Sequence, residues 1–577
     1  MNSRLKLDTN KLNPKFEGYK LAPLTDPNSI CRVSLNDIQL YKPNNDQRLG
    51  FRDLQARIRY SHLIYGYPLD QHRGTSFCID QEFNLHLIVY NKLTQETTFT
   101  LITQLIKPLV GYPGFTEPNR DVPIDPQPPS AMAISRELIL ASNGVGDIEL
   151  IGIEEKHGRM LGTSLGSAAY MGTGTEGVSP VPCVLLTARQ VKTKVLFVVY
   201  SKTKTNEFNI ATLELAIPSS HTKRLDDGSF VLQLNTLHIQ KGTEVPVYCA
   251  ITPSGKQCIL GSEVKYNPVH PVVDPDEPME EVPKKPLYQW SQEGTDITVQ
   301  FELPQNTPKS AISCKFLTDH LSLLVKDTAI SFPYRKLWSA VQPDECTWTL
   351  EKDTLTLLIT KKDERTRWPH LFDQDDGVLE TLSPTQLSEI NHRLAKFTSE
   401  EPLHPSQHPA ATDMDEDIDD AGTPIVFSVY NNTSGLAIDE FNTGSYHWIC
   451  SSYNYEDEMP SVCLQMDVDG LVFTLTETQD GLIQAEHTAT MDAFAFVQAS
   501  KRDARFIHHD SASSFASIVE SSRNAYIYYH HDDKRLVEDQ VLVDLTQGKH
   551  VDIVGATNIL KNTLMVLTES QLVIVHL

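Results

Sequence analysis

The run Ile297-Thr-Val-Gln-Phe-Glu-Leu303 alternates apolar and polar residues without a break. Successive side chains of a β-strand point to opposite faces, so this run places its apolar side chains on one face. Shorter alternating runs follow as far as Phe372, with turn residues such as Asn306-Thr-Pro308 between several of them. About seven such strands between Tyr288 and Phe372 predict an antiparallel β-sandwich.

This segment also holds four of the five tryptophans of the chain, Trp290, Trp338, Trp348 and Trp368. Five elements follow one another in this segment: Tyr288-Gln-Trp-Ser-Gln292, Val299-Gln-Phe-Glu-Leu-Pro304, Asp344-Glu-Cys-Thr-Trp-Thr-Leu-Glu351, Leu355 to Lys362, and Arg367-Trp-Pro-His-Leu371. In their order and spacing they resemble the CS domain of NudC-type proteins. One feature departs from the family. Many NudC-type domains close with two adjacent tryptophans, whereas this chain has Trp368-Pro369.

The flanks of this segment consist of many short strands and little helical periodicity. One stretch has the strand and turn pattern of a β-propeller blade. It consists of Ala131-Met-Ala-Ile-Ser135, Leu138 to Ser142, the turn Asn143-Gly144, and Asp147 to Ile151. Similar units start near Val181 and Val245. The later flank continues with strand-like runs such as Ala493-Phe-Ala-Phe-Val497 and a terminal hairpin. The two flanks together predict a mainly β protein with a propeller of about seven blades, and two separate β-sandwiches are the alternative.

Acidic segments border the CS-like segment; the first contains prolines, and the proline-rich run Glu401 to Pro409 precedes the second. Asp274 to Glu281 and Asp413 to Asp420 carry five and six acidic residues, a composition that favours flexible linkers. We therefore predict an inserted domain. The predicted parts are residues 1–273 and 423–577 as one propeller, 274–285 and 401–422 as linkers, 286–372 as the CS-type sandwich and 373–400 as a helical extension. Its helix begins at Ser383-Pro384, and Leu387, Ile390, Leu394 and Phe397 form an apolar stripe.

The formal net charge of -25 argues against sequence-independent binding of nucleic acid and against adhesion to an anionic membrane. One local cluster differs in sign. Four basic residues lie close in sequence to Trp368: Lys361, Lys362, Arg365 and Arg367. Aromatic residues and arginine are enriched at interface hot spots. We therefore predict that these basic residues form a protein-binding patch with Trp368 and Trp348. The alternative is that both tryptophans belong to the sandwich core and that the basic residues mark a solvated strand end.

Other motifs give no catalytic or metal site. Gly172-Thr-Gly-Thr-Glu-Gly177 matches a phosphate-loop pattern, but Pro180 and Pro182 follow where the required helix would begin. His508-His509-Asp510 and His530-His531-Asp532-Asp533 contain metal-ligand residue types, yet neighbouring strand residues point to opposite faces. The nine cysteines include no C-x-x-C pair. We expect no cofactor, no bound metal and no disulfide framework.

These features predict a non-enzymatic protein of the cytoplasm, with the nucleus as a further location, because no signal peptide or membrane span is evident. The NudC resemblance implies an adaptor or co-chaperone whose CS domain binds a heat-shock chaperone of the ninety-kilodalton class or client proteins, often propellers themselves. The propeller would be a second protein-binding platform, and a monomer is expected. A structural scaffold for vesicle-coat or dynein-motor complexes is the alternative, and an enzyme with a site at the propeller channel is a third hypothesis.

Overall fold

The computed structural model describes residues 5–35, 38–42, 51–108, 124–174, 176, 178–218, 230–269, 288–304, 307–326, 328, 330–363, 366–373, 378, 380–381, 424–452, 458–501, 503–510 and 513–577. The chain divides into two compact units. One unit comprises Met1–Val272 with Asp419–Leu577, and the other comprises Val273–Ile418. The helix predicted over Ser383 to Phe397 lies outside the described residues.

The first unit is a seven-bladed β-propeller in its described residues. Blades 1 to 3 come from the first part of the chain. Blade 1 contains β3 (Ile64–Tyr65), β4 (Arg73–Ile79), β5 (Asn84–Asn91) and β6 (Glu96–Gln104). Blade 2 contains β7 (Ser130–Ala133), β8 (Leu138–Ser142), β9 (Asp147–Lys156), β10 (Arg159–Ala169) and the short β14 (Phe230–Val231). Blade 3 contains β11 (Cys183–Val191), β12 (Lys194–Lys202), β13 (Phe208–Ala216), β15 (Leu234–Gly242) and the short β18 (Asn267–Pro268).

Blades 5 and 6 follow the same plan in the last part of the chain. Blade 5 contains β28 (His447–Ser452), β29 (Ser461–Met466), β30 (Asp469–Glu477) and β31 (Ile483–Met491). Blade 6 contains β32 (Phe506–His509), β33 (Phe515–Val519), β34 (Asn524–Tyr529) and β35 (Val537–Asp544), and β1 (Gly18–Pro23) adds to β35 in parallel.

Blades 4 and 7 join distant parts of the chain. Blade 4 contains β16 (Tyr248–Ile251), β17 (Gln257–Ser262), β26 (Val426–Asn431) and β27 (Ala437–Asn442). Blade 7 contains β36 (Ile553–Leu560), β37 (Thr563–Thr568), β38 (Gln571–His576) and β2 (Ile30–Ser34). Because β2 pairs with β38, the amino-terminal region closes the ring. The insertion falls inside blade 4, between β17 and β26, which are directly paired.

The central strands of the blades are apolar on both faces because each blade packs between two others. In β12, Val195, Phe197 and Val199 belong to one core, whereas Leu196 and Val198 belong to the next. A strand buried on both faces has a continuous apolar sequence rather than an alternating one. This requirement explains the run Val195-Leu-Phe-Val-Val-Tyr200. It also confirms the propeller and excludes two separate sandwiches.

The second unit is an antiparallel sandwich, as the alternation predicts. Its four-stranded sheet contains β19 (Gln289–Glu293), β20 (Asp296–Glu302), β25 (Thr354–Thr360) and β24 (Thr347–Glu351), in that order. Its three-stranded sheet contains β21 (Ile312–Phe316), β22 (His320–Val325) and β23 (Ser331–Lys336). The core between them includes Ile297, Val299, Phe301, Leu321 and Leu357, each completely buried.

The described part of the chain has two α-helices, α1 (Phe51–Arg59) and α2 (Phe494–Ser500), and three single 3-10 turns at Thr9–Lys11, Pro27–Ser29 and Lys309–Ala311. The strand predicted over Ala493 to Val497 is therefore wrong. The alternation of that run suggests one face for both phenylalanines, but the helix buries Phe494 and Val497 and leaves Phe496 63% exposed. A short apolar run fits either period, so periodicity alone could not decide.

The added strand β1 covers buried carboxyl groups of blades 5 and 6. Tyr19 lies opposite Glu538, and its hydroxyl donates to the carbonyl of Asp492. The Asn13 amide donates to Asp492 Oδ2 at 2.8 Å. Burial raises the pKa of Asp492 to about 6 and that of Glu538 to about 7. Both groups therefore bind a proton more tightly in the folded chain than in the unfolded one.

Because the unfolded chain binds fewer protons at these two sites, they make the free energy of unfolding rise as the pH falls from about 8 to about 5. We expect Glu538→Gln to reduce this pH dependence, measured by urea denaturation at several pH values. The exposed Glu17→Gln is the control and should keep the wild-type dependence. Equal pH dependence in the wild type and Glu538→Gln would contradict the assignment.

Candidate functional site

The residues of the predicted patch belong to strand β24 and to the segment that follows β25 in the inserted unit. Trp348 is on the edge strand β24, opposite Leu357 of β25, so its ring points toward the sandwich core. The side chain is half-buried and packs against that core. One side of the indole therefore supports the fold, and the other is accessible at the edge of the sheet.

Trp368 and Lys361 are interior residues, each 2% exposed. They meet at Gln292, whose side-chain oxygen accepts from the Lys361 ammonium at 2.7 Å and from the Trp368 amide at 2.9 Å. The Gln292 amide nitrogen donates back to the Trp368 carbonyl at 2.7 Å. Burial lowers the pKa of Lys361, and the charge of Arg367 lowers it further. These contacts hold Trp368 and Lys361 inside the sandwich, so neither side chain presents a binding surface.

Lys362 and Arg367 remain at the surface. Lys362 is exposed, and the Arg367 guanidinium is 61% exposed and lies 2.9 Å from both carboxylate oxygens of Glu380. Arg365 lies outside the described residues. The predicted set of six residues is thus divided, and the accessible described members are Trp348 in part, Lys362 and Arg367.

Sequence reasoning did not single out Gln292 or Glu380. The backbone at Glu380 bridges to Trp290, the Thr381 amide donates to the Trp290 carbonyl at 2.7 Å, and the Trp290 indole donates to the Val378 carbonyl at 2.8 Å. The segment around Glu380 therefore covers the β19 edge of the sheet. The sequence around Gln292 and around Glu380 does not indicate these contacts, because the contacts join positions 88 residues apart.

The propeller has a central channel of about 970 Å³. It is lined by the first strand of every blade, namely β3, β7, β11, β16, β28, β32 and β36. Ala56 and Arg59 of α1 also line the channel. The helix is held by a 2.6 Å ion pair between Asp53 and Lys202 and a 3.0 Å ion pair between Arg52 and Glu244. This volume lies within the range of ligand-binding cavities.

The histidine and glycine motifs have structural contacts. His508 lines the channel and burial lowers its pKa to about 4, while the His509 ring lies 3.3 Å from the Ser461 hydroxyl. The described residues contain no group of three or more His, Cys, Asp or Glu side chains placed to hold a metal ion. In the glycine-containing loop, the buried Glu176 carboxylate accepts from Thr173 and from the Asn209 amide at 2.9 Å. The acidic side chain of the motif is therefore held by hydrogen bonds within the propeller.

Each of the nine cysteines is a free thiol. Cys450 lies directly opposite Cys463 in the ladder of β28 and β29. Among the described helices, none has the length and apolar character needed to cross a membrane.

The comparisons with known proteins agree with this architecture. The CS domain family matches residues 286–361. NudC domain-containing protein 1 of Mus musculus is 29% identical over 421 residues, which cover 68% of this chain and 71% of the mouse protein. NudC domain-containing protein 1 of Xenopus laevis is 26% identical over 550 residues, which cover 91% of this chain and 89% of the frog protein. The chain thus contains a CS domain and is similar to these proteins over most of its length.

Two solved structures were also found to be similar to parts of this chain. The CS domain of human KIAA1068 protein is 16% identical and covers 19% of this chain and 97% of that chain, with a TM-score of 0.15. The β-propeller domain of Cps50 (Swd1) from Myceliophteria thermophila is 8% identical and covers 90% of this chain and 97% of that chain, with a TM-score of 0.34.

We expect Lys361→Met to destabilise the inserted unit by about 1–3 kcal/mol, because it removes the donor to Gln292 and to the carbonyls of Gly294 and Thr366. Urea denaturation followed by tryptophan fluorescence reports on this unit, which holds four of the five tryptophans. The neighbouring exposed Lys362→Met is the matched control and should change the free energy of unfolding by less than about 0.5 kcal/mol. Equal effects of the two substitutions would contradict the buried network.

Proposed function

We propose that this relative of NudC domain-containing protein 1 is a non-enzymatic adaptor or co-chaperone. Its CS domain binds a heat-shock chaperone of the ninety-kilodalton class or a client protein, including clients with propeller folds. Its own propeller binds a second protein. The proposed place of action is the cytoplasm, with the nucleus as a further location.

The observation that carries this proposal is the way the CS domain is inserted. The domain has its own hydrophobic core, and the chain leaves and re-enters blade 4 between two strands that remain paired along their whole length, from Gln257 opposite Asn431 to Ser262 opposite Val426. A domain with its own core can bind a partner without any change in the propeller ladder. An adaptor must bind two partners, and two separately folded units in one chain meet this requirement.

The chemistry of the described surfaces also favours protein partners. Trp348 keeps part of its indole accessible, and Lys362 and Arg367 lie at the surface of the same domain. Aromatic and arginine side chains at a surface favour contacts with proteins. In the propeller, the channel is lined by apolar and tyrosine side chains together with charged groups, among them Tyr65, Met132, Arg189 and Glu458. Such mixed cavities are typical of sites that bind a peptide or another ligand.

A scaffold for vesicle-coat or dynein-motor complexes is the second proposal. It places the main binding activity in the closed seven-bladed ring and gives the CS domain the role of a spacer. The two proposals differ in which unit must be present for a partner to bind, so removal of one unit separates them.

The test is a chain in which residues 274–420 are replaced by a short glycine-serine linker, compared with the full chain. The adaptor proposal predicts loss of binding to the purified ninety-kilodalton chaperone, measured by calorimetry, because the CS domain is absent. Circular dichroism and the thermal unfolding midpoint check that the propeller still folds. Undiminished binding of the chaperone by the shortened chain would contradict the co-chaperone role and support the scaffold.

A further inference from the structure

The two sheets of the CS domain carry opposite charges. The strands of the four-stranded sheet contain four acidic residues and no lysine or arginine: Glu293, Asp296, Glu302 and Glu351. The strands of the three-stranded sheet contain three cations and no aspartate or glutamate: Lys315, Arg335 and Lys336. Lys315 and Lys336 are exposed, whereas the Arg335 guanidinium lies over the core ring of Phe372, 4.2 Å from its centre. Lys336 Nζ also lies 3.4 Å from the Asp373 carboxylate. The two exposed lysines make this sheet the more cationic face of the domain, within a chain of net charge -25.

The outer faces of the two sheets also differ in their apolar side chains. On the three-stranded sheet, Tyr334 is 68% exposed and Leu324 is 45% exposed. Leu324 points outward because its neighbours Leu323 and Val325 are buried in the core. The outer face of the four-stranded sheet carries threonines, such as Thr298 and Thr356, with other polar and acidic side chains, and one leucine, Leu358, that is 39% exposed. It has no exposed aromatic residue among the described strand positions that corresponds to Tyr334. An exposed aromatic residue and an exposed leucine on one small sheet are the composition expected of a binding surface rather than of a solvated face.

The backbone holds Tyr334 in its exposed position. The ladder of β22 and β23 shifts register between Leu321, which pairs with Arg335, and Leu323, which pairs with Phe332. Tyr334 lies in this β-bulge with φ of 58°, in the left-handed region that a bulky residue rarely adopts. Bulges of this kind redirect a side chain.

Neighbouring groups fix the ring further. The Tyr334 ring centroid lies 5.4 Å from that of His320, and His320 Nδ1 lies 2.8 Å from the Asp319 carboxylate. A tyrosine that is already positioned loses little conformational entropy when a partner covers it. Such residues are the usual anchors of protein interfaces.

We propose that the outer face of the three-stranded sheet is the surface through which the CS domain binds its partner, and that the partner contributes an acidic segment with at least one apolar side chain. Tyr334 and Leu324 each contact an apolar side chain of this segment, and Lys315 and Lys336 contact its carboxylates. This inference rests on the proposed function and adds the binding face and the chemistry of the partner. Charge complementarity selects an acidic segment, because a basic one would be repelled by this sheet.

The test uses the full chain and two probes, the purified ninety-kilodalton chaperone and a fluorescein-labelled synthetic peptide of alternating glutamate and leucine. We expect Tyr334→Ala to weaken binding of both probes at least about tenfold, as truncation of an interface anchor does. Lys315→Glu with Lys336→Glu should weaken binding similarly and reduce its dependence on salt. Tyr334→Phe should bind nearly as the wild type does, because it keeps the ring.

The matched control is Lys309→Glu with Lys352→Glu, which makes the same change in net charge at two exposed positions of the same domain outside the three-stranded sheet. It should keep wild-type affinity, and thermal unfolding midpoints check that every variant folds. Wild-type binding by Tyr334→Ala, or equal losses in both charge-reversal pairs, would overturn the assignment of the face. If the wild type binds neither probe, the proposed chaperone function fails as well; if it binds the chaperone and Tyr334→Ala does so equally, only the face is wrong.

Discussion

The antiparallel pairing of β17 with β26 is the contact on which the rest of the structure depends. It joins Gln257–Ser262 to Val426–Asn431 and so completes blade 4 across an insertion of more than 140 residues. Closing a long loop costs free energy that grows only slowly with loop length. The six paired residues and the core formed by Tyr248, Phe427 and Phe441 stabilise the joined blade.

The ring places a second constraint on the chain ends. Since β2 pairs with β38, the strands of blade 7 come from both ends of the sequence. The described propeller therefore has two seams, one within blade 4 and one within blade 7. Each seam is a pair of antiparallel strands whose apolar side chains belong to cores shared with neighbouring blades.

Much of this architecture follows from sequence patterns. Period-two alternation identified β20 and β25 of the CS domain, and apolar runs bounded by turn residues identified blades from β7 to β9 and from β16 to β17. Strand β23 was not identified, because Pro333 and the bulge at Tyr334 interrupt the alternation. The error at α2 has a similar cause, since seven residues are too few for the helical period to show.

The site was harder to predict than the fold. Composition near Trp368 indicated a cationic, aromatic patch, but it could not show that Lys361 and Trp368 would turn inward to Gln292. Burial of a side chain depends on contacts between distant positions, and a sequence pattern reports only the period of its own strand. The same limit applies to the three-stranded sheet, where the segregation of charge becomes evident only after each strand is assigned to its sheet.

The central claim is that the CS domain is carried by a propeller whose closure does not need it. Hydrogen-exchange mass spectrometry of the full chain and of a chain lacking residues 274–420 tests this claim directly. We expect the amides of Gln257–Ser262 and Val426–Asn431 to remain equally protected in both chains. Loss of protection in these two strands after removal of the domain would contradict it.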